Sequence, residues 1–283
     1  MKRVVCLLLT LALMLGMAIS MTSCGESGAK DLEEVKAKGK IVVGMECDYA
    51  PYNWAQAKAN DYTVPLSNGM YADGFDVQIA KRIAESLGVA LEIIPIGWDG
   101  LIPAVESKQI DLIIAGMSPT EERKLSIDFT DVYLNSNLVM VVRKDSAYAN
   151  ATKIADFAGA KITGQLNTFH YKVIDQIAGV NKQPELEGFP ALIQSLAGGA
   201  IDGYVCEKPG AISAVASNPE FTYIEFSAGN GFTYDPAEAS IAVGLRKGSS
   251  LTAEINKLLA TIPQSEREAM MADAISRQPA GEE

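Results

Sequence analysis

The chain has 283 residues, 48% of them hydrophobic, with 24 Lys and Arg against 35 Asp and Glu and a formal net charge of −11. That length admits one large or two modest domains with a full core, while the acidity and the scatter of Lys and Arg exclude a nucleic-acid-binding surface. One histidine, His170, and four cysteines without metal-ligand spacing give no sign of a metal centre.

Lys2 and Arg3 precede an apolar run, Val4 to Leu15, that is too short to span a membrane comfortably and reads as an export signal. Met21-Thr22-Ser23-Cys24 resembles a bacterial lipobox, with Met21 where Leu is usual. It predicts a signal peptide over residues 1–23, a lipid on Cys24 and a flexible tether over 24–30. An ordinary signal peptide or an uncleaved N-terminal anchor stays open, and each puts the body of the chain outside the cytoplasm. Loss of residues 1–23 removes two cations and no acid, so the charge falls from −11 to −13. Cys6 leaves with the signal and Cys24 carries the lipid, and the remaining pair, Cys47 and Cys206, reads as free and mostly buried thiols, with a bridge between them left open.

Strand-like and helix-like segments then alternate. Ile41 to Met45 reads as a short buried strand, followed by a loop from Asp48 and a polar, turn-rich stretch ending near Asp73-Gly74. Phe75, Ile79, Ile83 and Leu87 recur at helical spacing, with Lys81, Arg82 and Glu85 on the other side and Gly88 as the stop. Leu91 to Ile96 is the next strand, Gly100 to Ser107 a short helix, and Asp111 to Ala115 an apolar strand of the parallel-sheet kind. Ser118 reads as the cap of a further helix, with Pro119 in its first position and Glu121 completing a capping box.

A second set of units begins after Leu138 to Val142. It holds a strand at Lys161 to Thr163, helices at Phe169 to Ala178 and Pro190 to Leu196, and a strand at Ile201 to Cys206. A helix at Pro209 to Ser217 and strands at Phe221 to Glu225 and Ile241 to Leu245 follow, and two amphipathic helices, Leu251 to Thr261 and Glu266 to Ile275, close the chain. The alternation predicts an α/β fold.

Four blocks in order carry a resemblance: Gly74-Phe75-Asp76-Val77, Trp98-Asp99-Gly100-Leu101-Ile102-Pro103-Ala104, the run Asp111 to Arg123, and Asp128-Phe129-Thr130. With Ile241 to Gly248 as a return segment, the chain resembles the polar amino-acid-binding proteins of ABC importers over nearly its whole mature length. The resemblance implies a two-lobed periplasmic-binding-protein fold of type II, with two hinge crossings and a ligand cleft between the lobes. Residues 31–136 and 238–283 would form lobe 1 and residues 137–237 lobe 2, with hinges near Asn135-Ser136-Asn137 and Pro236-Ala237-Glu238. It further implies a monomer without cofactor, working with a membrane permease and its ATPase.

A zwitterion taken out of water needs a donor for its carboxylate and an acid for its ammonium. Arg123, with a planar fork, is the candidate for the carboxylate, helped by the Gly116-Met117-Ser118 segment and by Thr168 and Phe169 at a second helix start. Here Asn167-Thr168-Phe169 departs from the family's commoner Gly-Thr-Thr. Glu207, where many relatives have Asp, is the candidate for the ammonium, and Tyr49 and Trp98 match positions that flank the ligand in similar proteins. Glu46 matches a position that is acidic in relatives binding basic amino acids, so arginine or lysine is the expected ligand, with glutamine next. His170 reads as a pocket-rim or packing residue. No catalytic group stands out, although a dehydratase of the cyclohexadienyl type on the same fold and a signalling sensor are the competing readings.

Overall fold

The computed structural model describes residues 30–279. The predicted signal peptide, Cys24, all of the tether but Lys30, and the last four residues lie outside the described residues.

Two five-stranded sheets organise the molecule. In the first, the order is Ala90–Pro95, Lys40–Met45, Leu112–Ile113, Gly244–Arg246, Ile127–Phe129. Its first three strands run parallel, and Gly244–Arg246 pairs antiparallel with both neighbours. The second runs Asn181–Lys182, Lys161–Thr163, Gly203–Glu207, Leu138–Arg143, Phe221–Ile224, again with the fourth strand antiparallel to its neighbours. Each sheet therefore takes its antiparallel strand from a segment that has just crossed from the other lobe. At the crossings, Leu134–Asn135 pairs antiparallel with Ser240–Ile241, and the Ser240 hydroxyl donates to Asn135 Oδ1 at 3.0 Å. This is an α/β, two-lobed periplasmic-binding-protein fold of type II, with two crossings and the cleft between the lobes.

The helix Phe75–Leu87 has the expected ends and buries Phe75, Val77, Ile79, Ala80 and Ile83, while Gly88 closes it at φ 68° with its N–H on the Ala84 and Glu85 carbonyls. Leu251–Thr261 also matches the expected span. Elsewhere the elements differ. The turn-rich stretch after Asp48 folds into a four-stranded antiparallel sheet of Asp48–Tyr49, Asn53–Gln56, Tyr71–Asp73 and Val64–Pro65. Its strands are two to four residues long, too short to show alternation. Gly74, at φ 132°, joins this sheet to the long helix, and a Cβ there would stand 2.3 Å from the Tyr52 carbonyl oxygen.

Asp111 to Ala115 pairs as a strand only at Leu112–Ile113. Ile241 to Leu245 breaks between Ser240–Ile241 and Gly244–Arg246, because the chain changes sheets there and the Ala242 N–H turns to the Met117 carbonyl at 3.0 Å. The helix expected to reach Ala178 ends at Val173 and tightens into a 3-10 turn, Ile174–Gln176. Cys47 and Cys206 are both free and buried. Among the described residues no helix is long and apolar enough to cross a membrane.

Candidate ligand-binding site

The cleft collects residues from the carboxyl ends of parallel strands, where open α/β sheets place their ligands. Glu46 follows Lys40–Met45, Gly116 to Ser118 follow Leu112–Ile113, Gln165 to His170 follow Lys161–Thr163, and Glu207 ends Gly203–Glu207. Tyr49, Trp98, Gly116, Ser118, Arg123, Thr168, Phe169 and Glu207 surround one cavity, joined by Gln165 and His170. Its volume is about 10 Å³, room for at most one water. Met117, buried, lines instead a neighbouring cavity of about 420 Å³ that shares Trp98, Arg123 and Phe169. Glu46 lines neither and reaches the site through Gln165.

The lobes are closed on this centre. Tyr49 stacks on Phe189 with centroids 3.8 Å apart and donates its hydroxyl proton to Glu207 Oε2 at 2.7 Å. Gln165 Nε2 donates to Glu46 Oε1 at 2.9 Å, and Asn167 Nδ2 to Asp99 Oδ1 at 2.8 Å. Lys172 pairs with Glu122 near the mouth.

Arg123 sits in a four-residue helix, Glu121–Lys124. The cap is Thr120, not Ser118: Thr120 Oγ1 accepts the Arg123 N–H at 3.3 Å and the Thr120 carbonyl accepts that of Lys124 at 3.0 Å. Pro119 lies before the helix, because the Ser118 carbonyl already accepts the Thr120 N–H at 3.0 Å. Ser118 does not cap the helix and lines the cavity wall instead. The Arg123 fork donates to the Ser118 carbonyl at 3.0 Å and the Asn167 carbonyl at 3.4 Å, and its guanidinium lies 4.8 Å from the Trp98 ring centroid. No carboxylate of the described residues pairs with it. Burial lowers its pKa to about 10 against the raising charges of Glu207, Glu122 and Glu46, so it stays cationic at neutral pH.

Glu207 is 1% exposed. Burial pushes its pKa up, but the charge of His170 close by and the hydrogen bond from the Tyr49 hydroxyl outweigh that and hold it below the usual carboxylate value. His170 Nε2 stands 2.9 Å from Glu207 Oε1, an ion-pair separation without good hydrogen-bond alignment, and Nδ1 has no partner. His170 is buried, packs on Phe169 with ring centroids 4.5 Å apart, and lines the cavity beside Glu207. Thr168 stands at the start of the helix Phe169–Val173, and its hydroxyl donates back to the Gln165 carbonyl at 2.7 Å.

Glu46 keeps part of its surface in solvent, yet its Oε2 is sealed and lacks a hydrogen-bond partner. Burial above all, then the charge of Asp48, pushes its pKa well up, offset only partly by Gln165. Gly116, at φ 60°, leaves space for Tyr49, whose ring a Cβ would meet at 3.0 Å, and its N–H is held by Asp76 Oδ2 at 2.8 Å. Asp76 also accepts from Asn53 at 3.1 Å and Tyr133 at 2.8 Å, while Asn53 Oδ1 accepts the Cys47 N–H at 2.8 Å. One buried carboxylate therefore fixes both first-lobe loops of the site. Gln165 escaped the sequence reading because nothing in the linear order marks a residue that meets Glu46 from the other lobe.

The family model for bacterial extracellular solute-binding proteins, family 3, matches residues 41–274. The chain is 31% identical over 251 residues to the arginine-binding extracellular protein ArtP of Bacillus subtilis, covering 85% of this chain and 86% of that protein. It is 28% identical over 242 residues to the L-cystine-binding protein TcyJ of Escherichia coli, covering 85% and 82%. Among solved structures, an amino acid ABC transporter substrate-binding protein of Streptococcus pneumoniae bound to L-arginine aligns with a TM-score of 0.73 at 27% identity, over 86% of this chain and 98% of that one. A mutant of ArgBP from T. maritima aligns with a TM-score of 0.72 at 30% identity, over 87% and 100%.

Proposed function

The chain belongs to the bacterial extracellular solute-binding proteins of family 3, and from that premise we propose that it is the amino-acid receptor of an ABC importer. The observation that carries the reading is Arg123, a guanidinium at the cleft without a carboxylate partner, lining one cavity with the buried Glu207. The α-carboxylate of the ligand completes the Arg123 fork, and its ammonium goes to Glu207. Trp98, Ser118, Thr168 and Phe169 line the same space with Gly116 as its backbone edge, and Met117 lines the neighbouring cavity. Glu46 beyond Gln165 selects a positive side chain, which makes arginine or lysine the ligand and glutamine the nearest competitor.

Residues 31–136 with 238–283 act as one lobe and 137–237 as the other, opening at the crossings to admit a ligand that a cavity of about 10 Å³ does not hold. The protein works as a monomer without catalysis, held to the bacterial cell membrane by a lipid on Cys24, and passes its ligand to a permease driven by an ATPase. Cys24→Ala should move it from the membrane fraction to the medium or periplasm.

A thermal-shift screen over the common amino acids tests the ligand. Saturable binding stabilises by about 2.7 kcal/mol at 100 times Kd, and silence across the set defeats the assignment. Arg123→Ala should weaken every ligand by about 2 to 5 kcal/mol, the usual loss when one member of a buried charge pair is truncated. Glu46→Gln should change which ligand wins. Aromatic product from prephenate or arogenate would replace this reading with the dehydratase.

A further inference from the structure

We propose that ligand capture in this cleft expels protons, because a proton on Glu46 and a proton on His170 stand in for the two positive charges that a basic amino acid brings. The inference rests on the cleft being the amino-acid site.

Glu46 has one oxygen bonded to a neutral amide, Gln165 Nε2 at 2.9 Å, and the other sealed without a partner. An ionised carboxylate so placed costs several kcal/mol as an order of magnitude, so the group carries its proton instead. The charges around it reinforce this. Asp48 on its own loop, Asp99 on the Trp98 turn and Glu207 across the cleft are all acids that oppose ionisation, and Arg123 is too weak an opposite influence to reverse them. A ligand cation brought against Oε2 supplies the missing partner, and the O–H bond then breaks to give carboxylate and a proton that passes to solvent.

His170 has the complementary position. Glu207, buried, has one basic side chain within 4 Å among the described residues, and it is this imidazole, with the Tyr49 hydroxyl as a hydrogen-bond donor on its other oxygen. Phe169, the ring nearest His170, offers no charge, and Arg123 from the first lobe is a further cation on the same cavity. When the ligand ammonium takes its place beside Glu207, three cations would crowd one buried acid and one ligand carboxylate. The imidazolium is the one of the three that can lose a proton and remain as a neutral base beside Glu207, because the guanidinium and the ammonium hold theirs more tightly. It leaves neutral imidazole beside the new ion pair and a second proton in solvent.

Release of protons makes affinity rise with pH, by about one decade per pH unit for each proton released. The test is calorimetric titration of the full chain with L-arginine and L-glutamine at pH 6, in two buffers of different ionisation enthalpy. The expected result is about two protons released with arginine and about one with glutamine, whose side chain leaves the Glu46 proton in place. Glu46→Gln should remove one proton from the arginine value and leave the glutamine value unchanged, while His170→Gln should remove one from both. The wild-type comparison stands even if a variant fails to fold. Arginine binding with heats independent of buffer and affinity flat from pH 5 to 8, or a release that either variant leaves intact, overturns this inference alone. No binding heat from either ligand overturns the reading of the cleft itself, and this inference with it.

Discussion

Arg246, buried inside the first lobe, and Arg123, half-buried on the cleft, differ in what surrounds their charge. Arg246 reaches two acids, with its Nη2 3.0 Å from Asp31 Oδ1 and 3.4 Å from Asp111 Oδ1, while Nη1 donates to the Val105 and Ile110 carbonyls at 3.0 and 2.7 Å. Ser249 donates to the remaining Asp31 oxygen at 2.7 Å, so the cluster is saturated. Arg123 meets two carbonyls and an aromatic face, and around it stand the unpartnered Glu46 Oε2 and His170 Nδ1. A saturated buried cluster fixes one geometry, here tying the helix Asp31–Lys38 to the strand Gly244–Arg246. An unsaturated one holds bonding capacity for something that arrives later.

The most severe way to break that contrast is to truncate each arginine. Arg246→Ala leaves Asp31 and Asp111 buried without their cation and should lower unfolding stability by about 3 to 5 kcal/mol, read by urea denaturation. Arg123→Ala strands no ion pair, so the same experiment should register less than about 1 kcal/mol while ligand affinity collapses. If the two variants lose equal stability, saturation is the wrong distinction.

Asp76 lies between these extremes, a fully buried carboxylate with three donors and no cation. Burial raises its pKa from 3.8 to about 6, against the lowering effect of Tyr133, Asn53 and the Gly116 N–H. A folded-state pKa above the unfolded one means that the native protein binds the extra proton. The stability this gives is complete below about 3.8 and is lost as pH rises through about 6. Two pKa units correspond to roughly 3 kcal/mol as an upper bound. Stability measured from pH 4 to 7 should therefore fall more steeply in the wild type than in Asp76→Asn. Glu46 contributes in the same direction, and Glu207, whose pKa is lowered, loses its contribution only as pH falls below its usual range, so the difference between the two curves isolates Asp76. Parallel curves would show that Asp76 is not the titrating group.

The legible parts of the chain were those written in local periodicity. Phe75 to Leu87 declares its buried face every three or four residues, and Gly88 declares its end. Leu112–Ile113 and the broken return strand were legible as apolar runs but not as lengths, because length there depends on where a neighbour stops pairing: Ile113 meets Gly44 on one side and Gly244 on the other. The small sheet after Asp48 has no period to read. At the site, charge accounting on a zwitterion offers Arg123 as a candidate, whereas Glu207 is a candidate only by the family resemblance, since a single Glu after a strand otherwise reads as a solvated turn residue. The His170 contact with Glu207 depends on a separation of 37 residues being folded to 2.9 Å, which no linear pattern encodes.

The helix cap beside Arg123 is the smallest effect and the closest test of how the unsaturated arginine is held. Ser118 and Thr120 both precede an acidic helix start, and Ser118-x-x-Glu121 has the spacing of a capping box, so the residue types alone favoured Ser118. Backbone bonding decides otherwise. The Ser118 carbonyl is bound by the Thr120 N–H and by Arg123 Nη1, which places the turn around Pro119 outside the helix and gives the cap to Thr120. Thr120→Val, which keeps the shape and removes the acceptor, should therefore destabilise by about 1 kcal/mol in denaturant titration. Ser118→Ala should stay within about 0.5 kcal/mol of wild type in the same titration and show its effect in ligand affinity instead. The reverse pattern would return the cap to Ser118 and withdraw its hydroxyl from the ligand. With the cap on Thr120, the four-residue helix has its own anchor, and the Arg123 side chain is held at the cleft by the Ser118 and Asn167 carbonyls.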